Sequence, residues 1–176
     1  MVNKSSTRIA LGGLSASLCL VVMLTTALIP FATYALPALA GILLIPIVLE
    51  LNAKTAWCCY CAVSLLSLLI VPDRETALMF IAFFGYYPIL KFKLDKIKLA
   101  VPRWITKFFI FNAAICSAYF LIIYIFGLSY LLDEFAGGFG ILLIIVANIC
   151  FPIYELALRN MYLFYVYRVR KMIFKV

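Results

Sequence analysis

Five stretches of this chain carry no Asp, Glu, Lys or Arg: residues 9–49, 55–72, 76–90, 108–132 and 135–154. No other feature limits the fold so strongly. The core of a bilayer takes a helix of about 20 mainly apolar residues. Each stretch is close to that length, and the first is long enough to cross twice. Of the 176 residues, 68% are hydrophobic and 12% charged. A soluble globule needs far more polar surface than that. The sequence therefore predicts an all-α, polytopic membrane protein, a single domain over 1–176 with little mass outside the bilayer.

Prolines and charges divide the stretches into six expected spans. They run from about Ile9 to Ile29, Tyr34 to Leu51, Thr55 to Val71, Thr76 to Leu90, Ile105 to Leu132 and Gly138 to Tyr165. Pro30 and Pro72 close the first and third. Pro46 is expected to kink the second, and Pro88 to bend or end the fourth. Lys4 and Arg8 precede the first apolar segment as in a signal peptide, but no convincing small-x-small cleavage site follows. That segment is read as retained.

Charge sets the orientation. Fourteen of the fifteen Lys and Arg residues fall on one side of the expected spans, and Arg74 alone falls on the other. Asp73, Glu75, Asp133 and Glu134 share the Arg74 side. Loops rich in Lys and Arg stay in the cytoplasm, so both termini are expected there. Tyr86 and Tyr87 suit the headgroup zone at the inner boundary. From Lys91 to Leu99, basic and apolar residues alternate, as in an interfacial segment that meets anionic membrane lipids or a cytoplasmic partner. The positive charge, set in so apolar a chain, does not point to nucleic acid.

Polar groups inside spans are candidates for function. Glu50 lies near the inner end of the second span, and Asn112 in the inner part of the fifth. Glu155 and Arg159 are four apart on the sixth, spaced to pair along one helix face. Asn148 lies further along the same helix, near mid-bilayer. These residues either hold helices together or act as a gate or ligand contact. On the outer side Thr25, Thr26, Thr33, Tyr34, Asp73, Arg74, Glu75, Tyr130, Asp133 and Glu134 could line a cup for a solute. In the first span, Gly12 and Ala16 are four apart, as are Gly13 and Ser17. Such pairs let two helices approach closely, within this chain or between subunits. Gly137, Gly138 and Gly140 read as a hinge or tight turn.

No catalytic set is visible. The chain has no His, no HExxH, no GxSxG, no Walker loop and no paired Asp cluster for Mg²⁺. Cys58 and Cys61 form a lone CxxC, and with Cys19, Cys59, Cys116 and Cys150 they lie in apolar runs as small packing residues. No enzyme activity, metal or cofactor is expected.

The segments RIALGGLSASLCLVVM (Arg8–Met23), LIPFATYALPALAG (Leu28–Gly41) and AFFGYYPILK (Ala82–Lys91) resemble the substrate-binding S components of energy-coupling factor (ECF) transporters. Six spans in a chain this short, with both ends inside, are similar to that family as well. The resemblance implies a multi-pass protein of the bacterial plasma membrane that captures a small, vitamin-like nutrient from outside. It implies docking of the first helix, through Gly12, Gly13, Ala16 and Ser17, against a transmembrane coupling protein driven by two cytoplasmic ATPases. The protein would then topple in the membrane and release its solute inside. Solute contacts would come from the outer loops and later helices: Tyr34, Arg74, Tyr130 and Glu134, with Asn148 deeper. An alternative from a different class is a cell-envelope scaffold resembling the six-span rod-shape protein.

Overall fold

The computed structural model describes residues 4–29, 32–124 and 139–170. Among them there are helices and turns and no strand. Five helical segments are long and apolar enough to cross a membrane: Ile9–Ala27, Ala53–Ile70, Arg74–Leu94, Ala100–Leu121 and Gly140–Arg168. That is compatible with a multi-pass membrane protein. The chain divides into two compact units, Met1–Arg103 and Trp104–Val176.

Unit 1 is built on α1 (Lys4–Leu24), which packs against both α2 (Ala35–Ile42) and α4 (Ala53–Ile70). The second expected span is not one long helix. It is α2 followed by α3 (Ile45–Glu50), with a tight turn at Leu43 and Leu44. The cause is Pro46, in the first turn of α3, which offers no N–H to the carbonyl of Ile42. Nearby bonds tighten in response. Leu43 N–H is shared between Leu39 O (3.3 Å) and Ala40 O (3.1 Å), and Ile47 N–H reaches only three residues back, to Leu44 O (3.2 Å). The helix α4 starts cleanly because the Asn52 side chain accepts Thr55 N–H at 3.0 Å. It stops before Pro72.

The next span runs past the expected limits of Thr76 and Leu90. It consists of α5 (Arg74–Met79), a π-helical turn (Phe80–Phe84) and α6 (Tyr87–Leu94). Asp73 caps α5 by accepting Glu75 N–H at 3.0 Å. In the π turn, Gly85 N–H reaches back five residues to Phe80 O at 2.7 Å. Pro88 sits in the first turn of α6, where its missing N–H costs little. It therefore bends the span without ending it. This is the central helix of unit 1, with 61% of its apolar stretch buried against 28% or less for the other four segments.

Unit 2 holds most of α7 (Ala100–Tyr124), together with α8 (Phe139–Phe164) and a closing π turn (Tyr165–Val169). These two helices begin and end near the expected fifth and sixth spans, as far as the described residues reach. Pro152 lies inside α8 and withholds an N–H from the carbonyl of Asn148.

Candidate functional site

Among the described residues, three places hold candidate groups: two in unit 1 and one in unit 2.

The first is the end of unit 1 that carries Tyr34 and Arg74. Asp73 does two jobs there. One oxygen caps α5, and the other accepts the Thr76 hydroxyl at 2.5 Å. The Thr76 hydroxyl oxygen also lies 3.4 Å from Thr33 O, which places the start of α5 beside the turn before α2. There the Tyr34 hydroxyl donates to Glu75 Oε1 at 2.5 Å. The structure thus brings Tyr34 to the residue next to Arg74. The Arg74 guanidinium itself turns back to donate to the carbonyl of Leu68, near the end of α4. Thr25 and Thr26 do not join the group. Their hydroxyls donate to carbonyls of their own helix, Val22 O (2.6 Å) and Met23 O (2.7 Å). Tyr130, Asp133 and Glu134, the other members of the expected cup, lie outside the described residues, as do Gly137 and Gly138.

The second place is where the two interrupted helices of unit 1 meet. Gly41, in the last turn of α2, lies against the backbone of the π turn. A Cβ on Gly41 would overlap the Phe84 carbonyl oxygen. A few residues away, the Tyr60 hydroxyl of α4 donates to Ile81 O at 2.7 Å. A π turn disturbs the regular ladder of helix bonds, and at Ile81 a side chain from another helix supplies a donor. Gly85 is required for a similar reason. A Cβ there would come within 2.7 Å of the Tyr60 ring and 2.8 Å of the Phe80 ring. An aromatic seam lines this crossing. Trp57 lies nearly parallel to Tyr86 with centroids 6.3 Å apart, and Tyr60 stands edge-on to both. Phe83 continues the seam to Tyr87 at 4.5 Å.

The third place is in unit 2, where α7 and α8 run antiparallel and are clasped twice. Lys107 and Glu155 form an ion pair whose side chains are only 3% and 8% exposed. Lys107 also lies 5.7 Å from the centroid of the Trp104 ring. Further along the pair, Asn112 and Asn148 donate to each other's side-chain oxygen at 2.9 and 3.0 Å. Each also donates its other N–H to the carbonyl four residues back, Phe108 O and Ile144 O, at 2.9 Å. Both N–H donors of each amide are therefore engaged inside the hairpin. Phe151 packs between the two clasps, 4.5 Å from Phe111 and 5.1 Å from Phe108.

Sequence reasoning singled out Asn112, Asn148 and Glu155, with Arg159 spaced to pair with Glu155. Its ion pair reaches to Lys107 on the neighbouring helix, and Arg159 lies exposed one turn further along α8. A signal for this was present. Lys107 precedes Asn112 by five residues and Glu155 follows Asn148 by seven, so an antiparallel pairing of the two helices brings Lys107 and Glu155 to the same end of the pair. Glu50 is half-buried at the end of α3. The small residues of α1 divide between two faces. Gly12 is buried against Cys59 of α4, with Ala16 packed on the core nearby. Gly13 faces open space, and Ser17, exposed beside it, donates to Gly13 O at 2.9 Å. All six cysteines are free thiols. Among the described residues, no three His, Cys, Asp or Glu side chains are grouped to hold a metal ion.

No family model, curated protein or solved structure matches this chain.

Proposed function

We propose that the chain is the substrate-binding S component of an ECF-type importer, which captures a small nutrient from outside the cell. In this reading it crosses the plasma membrane of a bacterium six times, with both termini in the cytoplasm. The sixth crossing is supplied by α2 and α3 together. Their 16 residues, Ala35–Glu50, rise about 24 Å, short of a full bilayer core but long enough for a kinked helix held inside a bundle. The asymmetry of charge supports the orientation.

The observation that carries the reading is the meeting of two interrupted helices at Gly41 and Phe84. Solute transporters place binding sites where helices are broken near mid-membrane, because a break frees backbone polar groups that a regular helix keeps occupied. The Tyr34–Glu75–Arg74 cluster lies at the outer end of the same helices in this orientation. We assign Tyr34, Arg74 and Glu75 as the solute contacts of unit 1. The open lane at Gly13 and Ser17 is the surface assigned to the coupling protein, which two ATPases would drive.

The test is to purify the full chain in mild detergent and extract bound small molecules for mass spectrometry. The proposal expects one non-lipid solute near equimolar amount, lost in Arg74→Ala. It also expects a coupling protein and an ATPase pair to co-purify. A preparation with neither solute nor ATPase would overturn it. A scaffold role is the second reading. It is favoured by the filling of the crossing with large, fully buried rings, those of Phe80, Phe83 and Tyr87. Capture of envelope-synthesis proteins by a solute-free chain would establish it.

A further inference from the structure

The lysines between α6 and α7 are not equivalent, and the difference points to a lipid site. Lys91 is buried and forms an ion pair with Asp95 at 3.1 Å. Lys93, Lys96 and Lys98 are all exposed, and among the described residues none has an acidic partner at ion-pair distance. Asp95 is the one acid in this segment, and Lys91 engages it. Three unmatched positive charges are thus left on one short connection. The connection itself is ordered by turns. Lys96 N–H bonds to Lys93 O (3.2 Å), Ile97 N–H to Leu94 O (3.0 Å), and the Arg103 side chain to Ile97 O (3.5 Å).

Apolar side chains sit directly beside these charges. Leu99 is 71% exposed and Val101 70%. Water would disfavour that much bare aliphatic surface. Lysine stems and such side chains are compatible at one depth only, where acyl chains meet phosphates. There the lysines extend their ammonium groups to the headgroups while the aliphatic residues stay in the hydrocarbon.

We propose that Lys93, Lys96 and Lys98 form a binding surface for anionic phospholipid headgroups, with Leu99 and Val101 seated among the acyl chains of the same lipids. A soluble acidic protein would match the charges but would leave Leu99 and Val101 uncovered, so lipid is the occupant assigned. The inference rests on the reading that Arg74–Leu94 and Ala100–Leu121 cross a bilayer.

The experiment places the full chain in vesicles of equal parts phosphatidylglycerol and phosphatidylcholine. The protein is re-extracted in mild detergent, and the co-purified lipid is measured by mass spectrometry. The wild-type chain is expected to hold phosphatidylglycerol in excess over phosphatidylcholine. The excess should fall about fivefold for each lysine changed to Gln and reach the bulk ratio in the K93Q/K96Q/K98Q triple variant. Without any variant, extraction at high salt should weaken the excess by screening. An excess that survives the triple substitution, or a wild-type chain that carries only the bulk ratio, would overturn the lipid site while leaving the membrane reading intact. Displacement of the lipid by soluble poly-glutamate would overturn it in favour of an acidic protein partner. Failure of the wild-type chain to enter vesicles would overturn both readings at once.

Discussion

The two units solve the same problem in opposite ways. In the proposed membrane placement both must hold apolar helices together with little hydrophobic driving force, because lipid is as apolar as the helices. Unit 1 does it by close approach. Gly41 lets α2 touch the backbone of the π turn, Gly85 leaves room for two rings, and one hydroxyl, that of Tyr60, supplies a donor to the disturbed ladder. Unit 2 does it by polar pairing. Two long helices are clasped by one ion pair and one amide pair, and most of their remaining surface is exposed. In such surroundings, steric fit and hydrogen bonding can replace one another as sources of specificity. Unit 1 combines its steric fit with helix interruptions, the kind of feature on which a conformational change can turn.

The largest effect is expected from breaking the ion pair of unit 2. Glu155→Leu removes the buried carboxylate that pairs with Lys107 and should destabilise the chain by about 3–5 kcal/mol. Adding Lys107→Met should recover most of that loss, because two well-packed apolar side chains need no compensation. Denaturation in detergent micelles, followed by circular dichroism, measures both. If the double variant is as weak as the single, the pair has a role beyond packing and the contrast between the units narrows.

Next in size is Gly41→Ala. The added methyl meets backbone, which cannot swing away, so a loss of about 1–3 kcal/mol is expected in the same assay. Gly13→Ala, one helix away, should cost nothing measurable, since no atom lies within 4 Å of the added group. Equal costs at the two positions would remove the claim that unit 1 depends on close approach.

Tyr60→Phe takes away the hydroxyl that donates to Ile81 O and should cost about 1–2 kcal/mol. Slower amide exchange in residues 81–86 would contradict the role given to that hydroxyl; faster exchange is expected.

The smallest effect is the coupling between Asn112 and Asn148. A double-mutant cycle with Leu at each position should return about 0.6 kcal/mol, since amides in membrane helices find other partners when separated. A coupling near zero would remove the amide pair from the account of unit 2.

How much of this was legible in the sequence differs between the units for a physical reason. In unit 2 the informative residues are polar in an apolar run, so Asn112, Asn148 and Glu155 stand out by type alone. Lys107 escaped because it lies at the start of an expected span, where a charge reads as a topology signal. Only the antiparallel register reveals its partner. In unit 1 the informative residues are Gly41, Gly85 and Tyr60, which look ordinary in an apolar segment. Their importance depends on which backbone lies opposite, and that is a property of the folded chain. Pro46 was visible as a kink and Pro88 as a bend or an end, and the structure sets the extent of each. One divides the second expected span into two helices, and the other only bends a span that continues to Leu94. In the cluster at the start of α5, Tyr34 and Arg74 were visible as candidates. The Tyr34–Glu75 bond and the turning of Arg74 to Leu68 O depend on the packing of α2, α4 and α5.

The most direct test of the account is the sidedness of two positions in one helical passage. Single cysteines are placed at Arg74 and at Lys96 in a cysteine-free chain, and sealed cells are treated with a membrane-impermeant maleimide. Arg74→Cys should react from outside, and Lys96→Cys only after the membrane is opened. Reaction of both from the same side would contradict a crossing between them, and with it the orientation on which the proposed solute site and the lipid surface depend.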